Sequence, residues 1–104
     1  MTNQDRVVSG VAHSSTRQAV LGWALERQAR RIPSRPAIIG YDTGQRRCFT
    51  YRDLDQRANR MANALTDIGV GRGDVVAMMD ENSADYATVV FGAFKAGAAF
   101  TGVN

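Results

Sequence analysis

The sequence predicts an α/β fold, and three observations carry that prediction. From Thr50 onward, amphipathic stretches with helical spacing alternate with short apolar runs, in the order helix, strand, helix, strand. That order is the mark of a βαβ unit with parallel strands. One run, Val75–Met79, has no polar residue at all, as expected for a strand covered on both faces. The chain has 104 residues, room for one small domain or part of a larger one, and two parallel strands alone do not make a stable sheet. The expected arrangement is therefore helix, β-hairpin, helix and βαβ unit, an incomplete amino-terminal portion of a large α/β domain.

Residues 1–15 carry Ser9, Gly10, Ser14 and Ser15 without periodicity and are expected to be a mobile lead-in. A first helix is expected from about Thr16 to Arg31. Val20, Leu21, Ala24, Leu25 and Gln28 mark one face, Ile32 lies just beyond, and Ser14, Ser15 or Thr16 is placed to cap it. Pro33 stops this helix, and Pro36 keeps the following residues extended. Ala37–Tyr41 reads as a strand, Asp42 to Gln45 as a turn, and Arg47–Thr50 as a second strand, together a hairpin. Cys48 is expected to be a half-buried structural thiol, with only Arg46 and Arg47 nearby to lower its pKa.

Thr50 is the expected N-cap of the second helix, with Asp53 three residues on, where a capping box places its acid. Leu54, Ala58, Met61, Ala62, Leu65 and Ile68 form a face wide enough for a core, with Arg57 and Arg60 on the other side. Gly69 ends the helix as a left-handed C-cap. The stretch Gly69-Val70-Gly71-Arg72-Gly73-Asp74 is glycine-rich, but it follows a helix and opens a strand. A dinucleotide loop does the reverse, so this is read as a tight turn and not as a phosphate loop. Asp80 and Glu81 close the strand, where they favour the next helix N-terminus rather than acid/base work. Asn82 or Ser83 caps a third helix with the face Tyr86, Val89, Val90, Ala93, Phe94 and Gly97. Its low charge predicts burial on more than one side, and Lys95 lies in its last turn, where a cation suits the dipole. Ala98–Val103 reads as the final strand.

Composition excludes several classes of function. One cysteine, Cys48, makes no internal disulfide, and with one histidine, His13, it builds neither a Cys/His zinc site nor a nucleophile–histidine triad. No apolar run is long enough to span a bilayer, and Met1 to Gly10 shows no secretory signal, so a cytoplasmic location is expected. Residues 1–60 hold 11 Arg against 5 acids, whereas residues 61–104 hold two basic residues against 5 acids. Nucleic-acid binding would call for stacking aromatics among the basic residues, and Trp23 alone lies among Arg6, Arg17, Arg27, Arg30, Arg31 and Arg35. The arginines read as a solvated helix face, with weak peripheral contact to an anionic surface such as lipid headgroups as the alternative.

The ordered set of local patterns resembles the amino-terminal part of adenylate-forming (AMP-binding) enzymes: acyl-CoA synthetases, luciferases and peptide-synthetase adenylation domains. The residues that carry the resemblance are Thr50-Tyr51-Arg52-Asp53-Leu54 through Arg60, then Ala62, Leu65, Gly69-Val70-Gly71, Gly73-Asp74-Val75-Val76-Ala77, Asn82-Ser83 and Lys95-Ala96-Gly97-Ala98. Arg30 to Ile38 resembles the family's entry segment, so the likeness covers residues 16–104. Adenylation domains usually close the last strand with Pro-Leu-Asp. Thr101-Gly102-Val103-Asn104 resembles the acyl-CoA ligases instead, as does Asn82-Ser83, although Asp80-Glu81 stands where relatives carry an apolar-Pro pair.

The resemblance implies an acyl-CoA synthetase that activates a carboxylic acid, most simply a fatty acid, to an acyl adenylate and then to acyl-CoA. It implies ATP, Mg²⁺ and CoA for the whole enzyme, and the remainder of the synthetase domain as partner. The family's phosphate loop, adenylate-binding motif, ribose-binding Asp, hinge and later catalytic Lys have no counterpart in these residues. No catalytic, cofactor-binding or metal-binding residue is therefore assigned, and the isolated chain is expected to be inactive. Two alternatives remain: part of a peptide-synthetase adenylation domain, and a truncated, non-catalytic α/β interaction module that pairs through its open sheet edge.

Overall fold

The computed structural model describes residues 20–42, 44–79 and 84–103. Within them a helix α1 covers residues 20–31. It is followed by β1 (Pro36–Asp42), β2 (Gln45–Thr50), α2 (Tyr51–Asp67), β3 (Val75–Met79), α3 (Ala84–Lys95) and β4 (Ala99–Val103). This is the predicted order. The hairpin β1–β2 is antiparallel, and β3–β4 is a separate parallel pair, so the hairpin does not extend the βαβ sheet. Residues 1–19, Asp80, Glu81 and the caps proposed at Asn82 and Ser83 lie outside the described residues.

The start of α2 is bonded in full. Its first two N–H groups, on Tyr51 and Arg52, donate to the carbonyls of Arg35 and Pro33 at 3.0 and 3.1 Å. The third, on Asp53, donates to Thr50 Oγ1 at 3.1 Å, and the Thr50 N–H donates to Asp53 Oδ2 at 3.1 Å. The predicted capping box is therefore formed, and it is joined by the turn that Pro33 imposes at the end of α1. At the other end Gly69, at φ 91°, donates to the Thr66 carbonyl, and the Val70 N–H donates to that of Leu65. That paired pattern is the one a left-handed glycine makes possible after a helix.

The core lies where α1, α2, α3 and the hairpin meet. Leu25, Leu54 and Ala58 are buried, with Ala37, Ile38, Tyr51, Ala87 and Phe91 packed against them. Small residues bring α3 onto α2. A Cβ placed on Gly92 would lie 2.6 Å from Met61 Cβ and 3.3 Å from the Ala58 carbonyl oxygen. On its other side α3 meets β4, with Tyr86 and Phe100 edge to face at a centroid distance of 5.2 Å. A Cβ at Gly102 would overlap the Tyr86 hydroxyl. Burial of α3 on more than one side is thus realised, but Ala87 and Phe91, absent from its predicted face, are the residues that reach the core.

Four expectations need correction. Ile68, expected on the core face of α2, is the helix C-cap and 77% exposed, because it lies past the last helical turn. Val75–Met79 is not covered on both faces: Val75 and Met79 are 63% and 79% exposed, because among the described residues β3 pairs with β4 alone and no layer lies over the face carrying Val75, Ala77 and Met79. Cys48 is exposed, not half-buried. It pairs with exposed Ile39 on the outer face of the hairpin, while neighbouring Phe49 takes the buried side. In α1 the predicted face is only partly used. Leu25 is buried, but Val20, Leu21 and Ala24 are exposed, since the helix turns Gly22 and Leu25 inward.

Two stability effects are expected. Thr50→Ala removes the capping bond and should cost about 1 kcal/mol, read as a lowered urea midpoint with unchanged slope. Gly92→Ala gains up to ~1 kcal/mol of helix propensity but overpacks the contact with Met61 at ~1–3 kcal/mol. A net loss of stability in the same assay is therefore expected.

Candidate functional site

The side chains drawn most tightly together are at the carboxyl end of α3. Lys95 Nζ donates to Asp55 Oδ1 at 2.7 Å and to Glu26 Oε1 at 3.0 Å. Its side chain is 6% exposed, against 19% for Asp55 and 40% for Glu26. One ammonium therefore links α1, α2 and α3, and its position in the last turn of α3 also suits the helix dipole. The predicted favourable cation is present, and Asp55 is the nearer of the two carboxylates holding its buried charge. Lys95 and Glu26 form one wall of an open cleft of about 580 Å³, which Trp23, Asn59, Asn63 and Phe94 also line.

A second cluster joins the hairpin to the helices. The Arg57 guanidinium lies 4.3 Å and that of Arg47 5.1 Å from the centre of the buried Phe49 ring. Arg47 also pairs with Asp85, in the first turn of α3, at 3.1 Å. A smaller apolar groove of about 290 Å³ runs between α1 and the hairpin, lined by Leu21, Ala24, Leu25, Ile38, Tyr51 and Phe91 among others.

The glycine-rich turn has the geometry of a connector. Asp74 Oδ2 accepts from the Gly71 N–H at 2.8 Å, and the Asp74 N–H donates to the Gly71 carbonyl at 3.0 Å. The loop closes on its own carboxylate and leads directly into β3 through Gly73, at φ 93°. An aspartate on that amide opposes a bound phosphate rather than cradling one. Among the described residues no three His, Cys, Asp or Glu side chains converge as a metal site. Among the described residues, then, the glycine-rich turn offers no phosphate cradle. What the two side-chain clusters do chemically is hold three helices and a hairpin in register.

Comparison with known proteins gives this arrangement its context. The profile of the family described as AMP-binding enzyme matches residues 25–104. The chain belongs to the AMP-binding enzyme family. It corresponds to the amino-terminal part of such an enzyme. It is 41% identical over 76 residues to a plipastatin synthase of Bacillus subtilis, covering 72% of this chain and 3% of that protein. It is 34% identical over 84 residues to a long-chain-fatty-acid–CoA ligase of Mycobacterium tuberculosis, covering 81% of this chain and 16% of that one. The crystal structure of a fatty acyl-adenylate ligase from L. pneumophila, in complex with acyl adenylate and pyrophosphate, matches with a TM-score of 0.75 at 22% identity, over 80% of this chain and 15% of that one. That last likeness shows the fold. The chain therefore spans about a sixth of the length of the two ligases and far less of the plipastatin synthase. Among its described residues no helix is long and apolar enough to cross a membrane.

Sequence reasoning missed the Lys95 node. The available signal was that Lys95 is the sole lysine of the chain, on the least charged helix. Lys95→Met keeps the aliphatic stem and strands two carboxylates. The expected loss is ~2 kcal/mol or more, below the ~3–5 kcal/mol of a fully buried pair because Glu26 reaches solvent. The cost in chemical denaturation should rank Lys95→Met above Asp55→Asn, and Asp55→Asn above Glu26→Gln.

Proposed function

We propose that this chain is the amino-terminal segment, residues 16–104, of an acyl-CoA synthetase. The whole enzyme would join a carboxylic acid, most simply a fatty acid, to AMP from ATP with release of pyrophosphate, and then pass the acyl group to the thiol of CoA with release of AMP. Mg²⁺ would offset phosphate charge in the first of these reactions. The observation that carries the reading is the 34% identity to a long-chain-fatty-acid–CoA ligase across 81% of the chain. Asn82-Ser83 and the terminal Asn104 point the same way. On this reading the segment's work is architectural: it supplies a three-helix junction and a parallel strand pair to the large domain, and the nucleotide is held elsewhere.

The second reading, part of an adenylation domain that loads a carrier protein, draws on the 41% identity to a plipastatin synthase. The acceptor separates the two. Pyrophosphate exchange should be measured with a panel of fatty and amino acids, on the 104-residue chain and on a form long enough to carry the family's phosphate loop. Exchange is expected from the longer form alone, with fatty acids, followed by acyl transfer to free CoA. Amino-acid-dependent exchange with transfer to a carrier-bound thiol would establish the second reading. Exchange by the 104-residue chain, lost in Lys95→Ala or Asp80→Asn, would overturn the architectural role.

A further inference from the structure

Lys95 is the sole lysine among the thirteen basic side chains of the sequence, and the others are all arginine. The two cations differ in reactivity. A guanidinium keeps its proton at any pH a protein meets and offers no nucleophilic lone pair, whereas an amine that sheds its proton attacks activated carboxyl groups. Lys95 is therefore the one side chain here that such a group could convert to a stable amide. A thioester formed on the exposed Cys48 is returned by exchange with another thiol, and an amide is not.

That amine is enclosed by all three helices. Its stem runs under α1 at the point where α1 has no side chain: a Cβ placed on Gly22 would stand 3.2 Å from Lys95 Cγ. At the tip, Nζ donates to Asp55 Oδ1 on one side and to Glu26 Oε1 on the other. Glu26 is the outer of the two carboxylates and lines the cleft beside the ammonium. An ammonium bonded in this way has no lone pair to offer. To react, Nζ must leave both carboxylates, give up a proton and come out from under α1.

We propose that this node is also a chemical guard: Glu26 and Asp55 hold Lys95 as an ammonium beneath α1 and so withhold the segment's one side-chain amine from acyl adenylates. This rests on the parent enzyme forming an adenylate, whichever acid it takes and whichever thiol accepts it. In the reaction guarded against, the neutral amine attacks the carbonyl carbon of the mixed anhydride. The bond from that carbon to the phosphate oxygen breaks, AMP leaves with its electron pair, and the surplus proton on nitrogen passes to water. The resulting amide is uncharged. Asp55 and Glu26 would then face a neutral group, and α1 would lose its ionic tie to α3.

The guard is tested with dodecanoyl adenylate, prepared chemically, added to the full chain and to its Arg60→Lys variant, which places a second amine at an exposed position of α2. Peptide mass mapping reads the acylation at each site. Because the adenylate is supplied ready-made, a failed pyrophosphate-exchange assay would leave this result untouched. Acylation of Lys95 is expected to be at least about 100-fold slower than that of the introduced amine, as for a group reached only through local opening. In urea the two rates should be equal. Glu26→Gln keeps the shape and removes the charge, and should raise the Lys95 rate roughly tenfold with unchanged far-UV circular dichroism. Asp55→Asn should raise it at least as much. Acylation of native Lys95 at the rate of the introduced amine would overturn the proposal. So would rates unchanged in both carboxylate variants, since burial alone would then be the shield. An introduced amine that does not react would overturn it equally, because there would be nothing to guard against.

Discussion

The architecture depends on how closely α3 lies on α2. The contact is made by residues with almost no side chain, Ala58 beneath Gly92, with Met61 folded over the crossing. Small residues at a crossing exchange side-chain burial for backbone proximity, and proximity here is what brings Phe91 into the Leu25–Leu54 cluster and Lys95 within reach of Asp55. Were the helices a methyl group further apart, the ammonium of Lys95 would lose its shortest partner and its burial would become a liability. Apolar packing at one end of the crossing and an ion pair at the other therefore act as a single constraint. It ties together segments some 70 residues apart in sequence, from Glu26 to Lys95.

Much of this was legible in the sequence because local chemistry and global fold agree. Thr50 and Asp53 specify a helix start whatever else surrounds them, and Gly69 specifies its end, so α2 is recovered almost residue for residue. The corrected points are those where position in three dimensions decides. Whether Val75 and Met79 are covered depends on layers that the periodicity of five residues cannot supply. Cys48 and Phe49 have similar claims to burial, and only the pairing of the hairpin, which sets Cys48 against Ile39, assigns the faces. In α1 two apolar stripes compete, and the helix rotates toward the one containing Gly22, which brings it alongside Lys95.

The candidate site was less legible for the same reason. An ion pair between Lys95 and Glu26 has no local signature, whereas the aspartate that closes the glycine-rich turn does. The reading of this loop as a connector rests on its place after a helix and before a strand, and the Asp74–Gly71 bonds show how the turn closes. On the reading proposed for it, this segment of an AMP-binding enzyme is architectural.

The glycine beneath the Tyr86 hydroxyl has a consequence for pairing register. A strand whose two faces differ in polarity aligns itself, because a slip by one residue would bury its polar side chains. β3 lacks that safeguard, since Val75 to Met79 are apolar throughout and tolerate either face. β4 supplies it by shape. Only at Gly102, opposite Met78, is there no Cβ to collide with the phenol of α3. A slip by one residue would bring Thr101 or Val103, both β-branched, beneath the ring. One absent side chain thus does for the parallel pair what alternation does for other strands, and it indexes β4 against β3 through a helix rather than through the strands themselves.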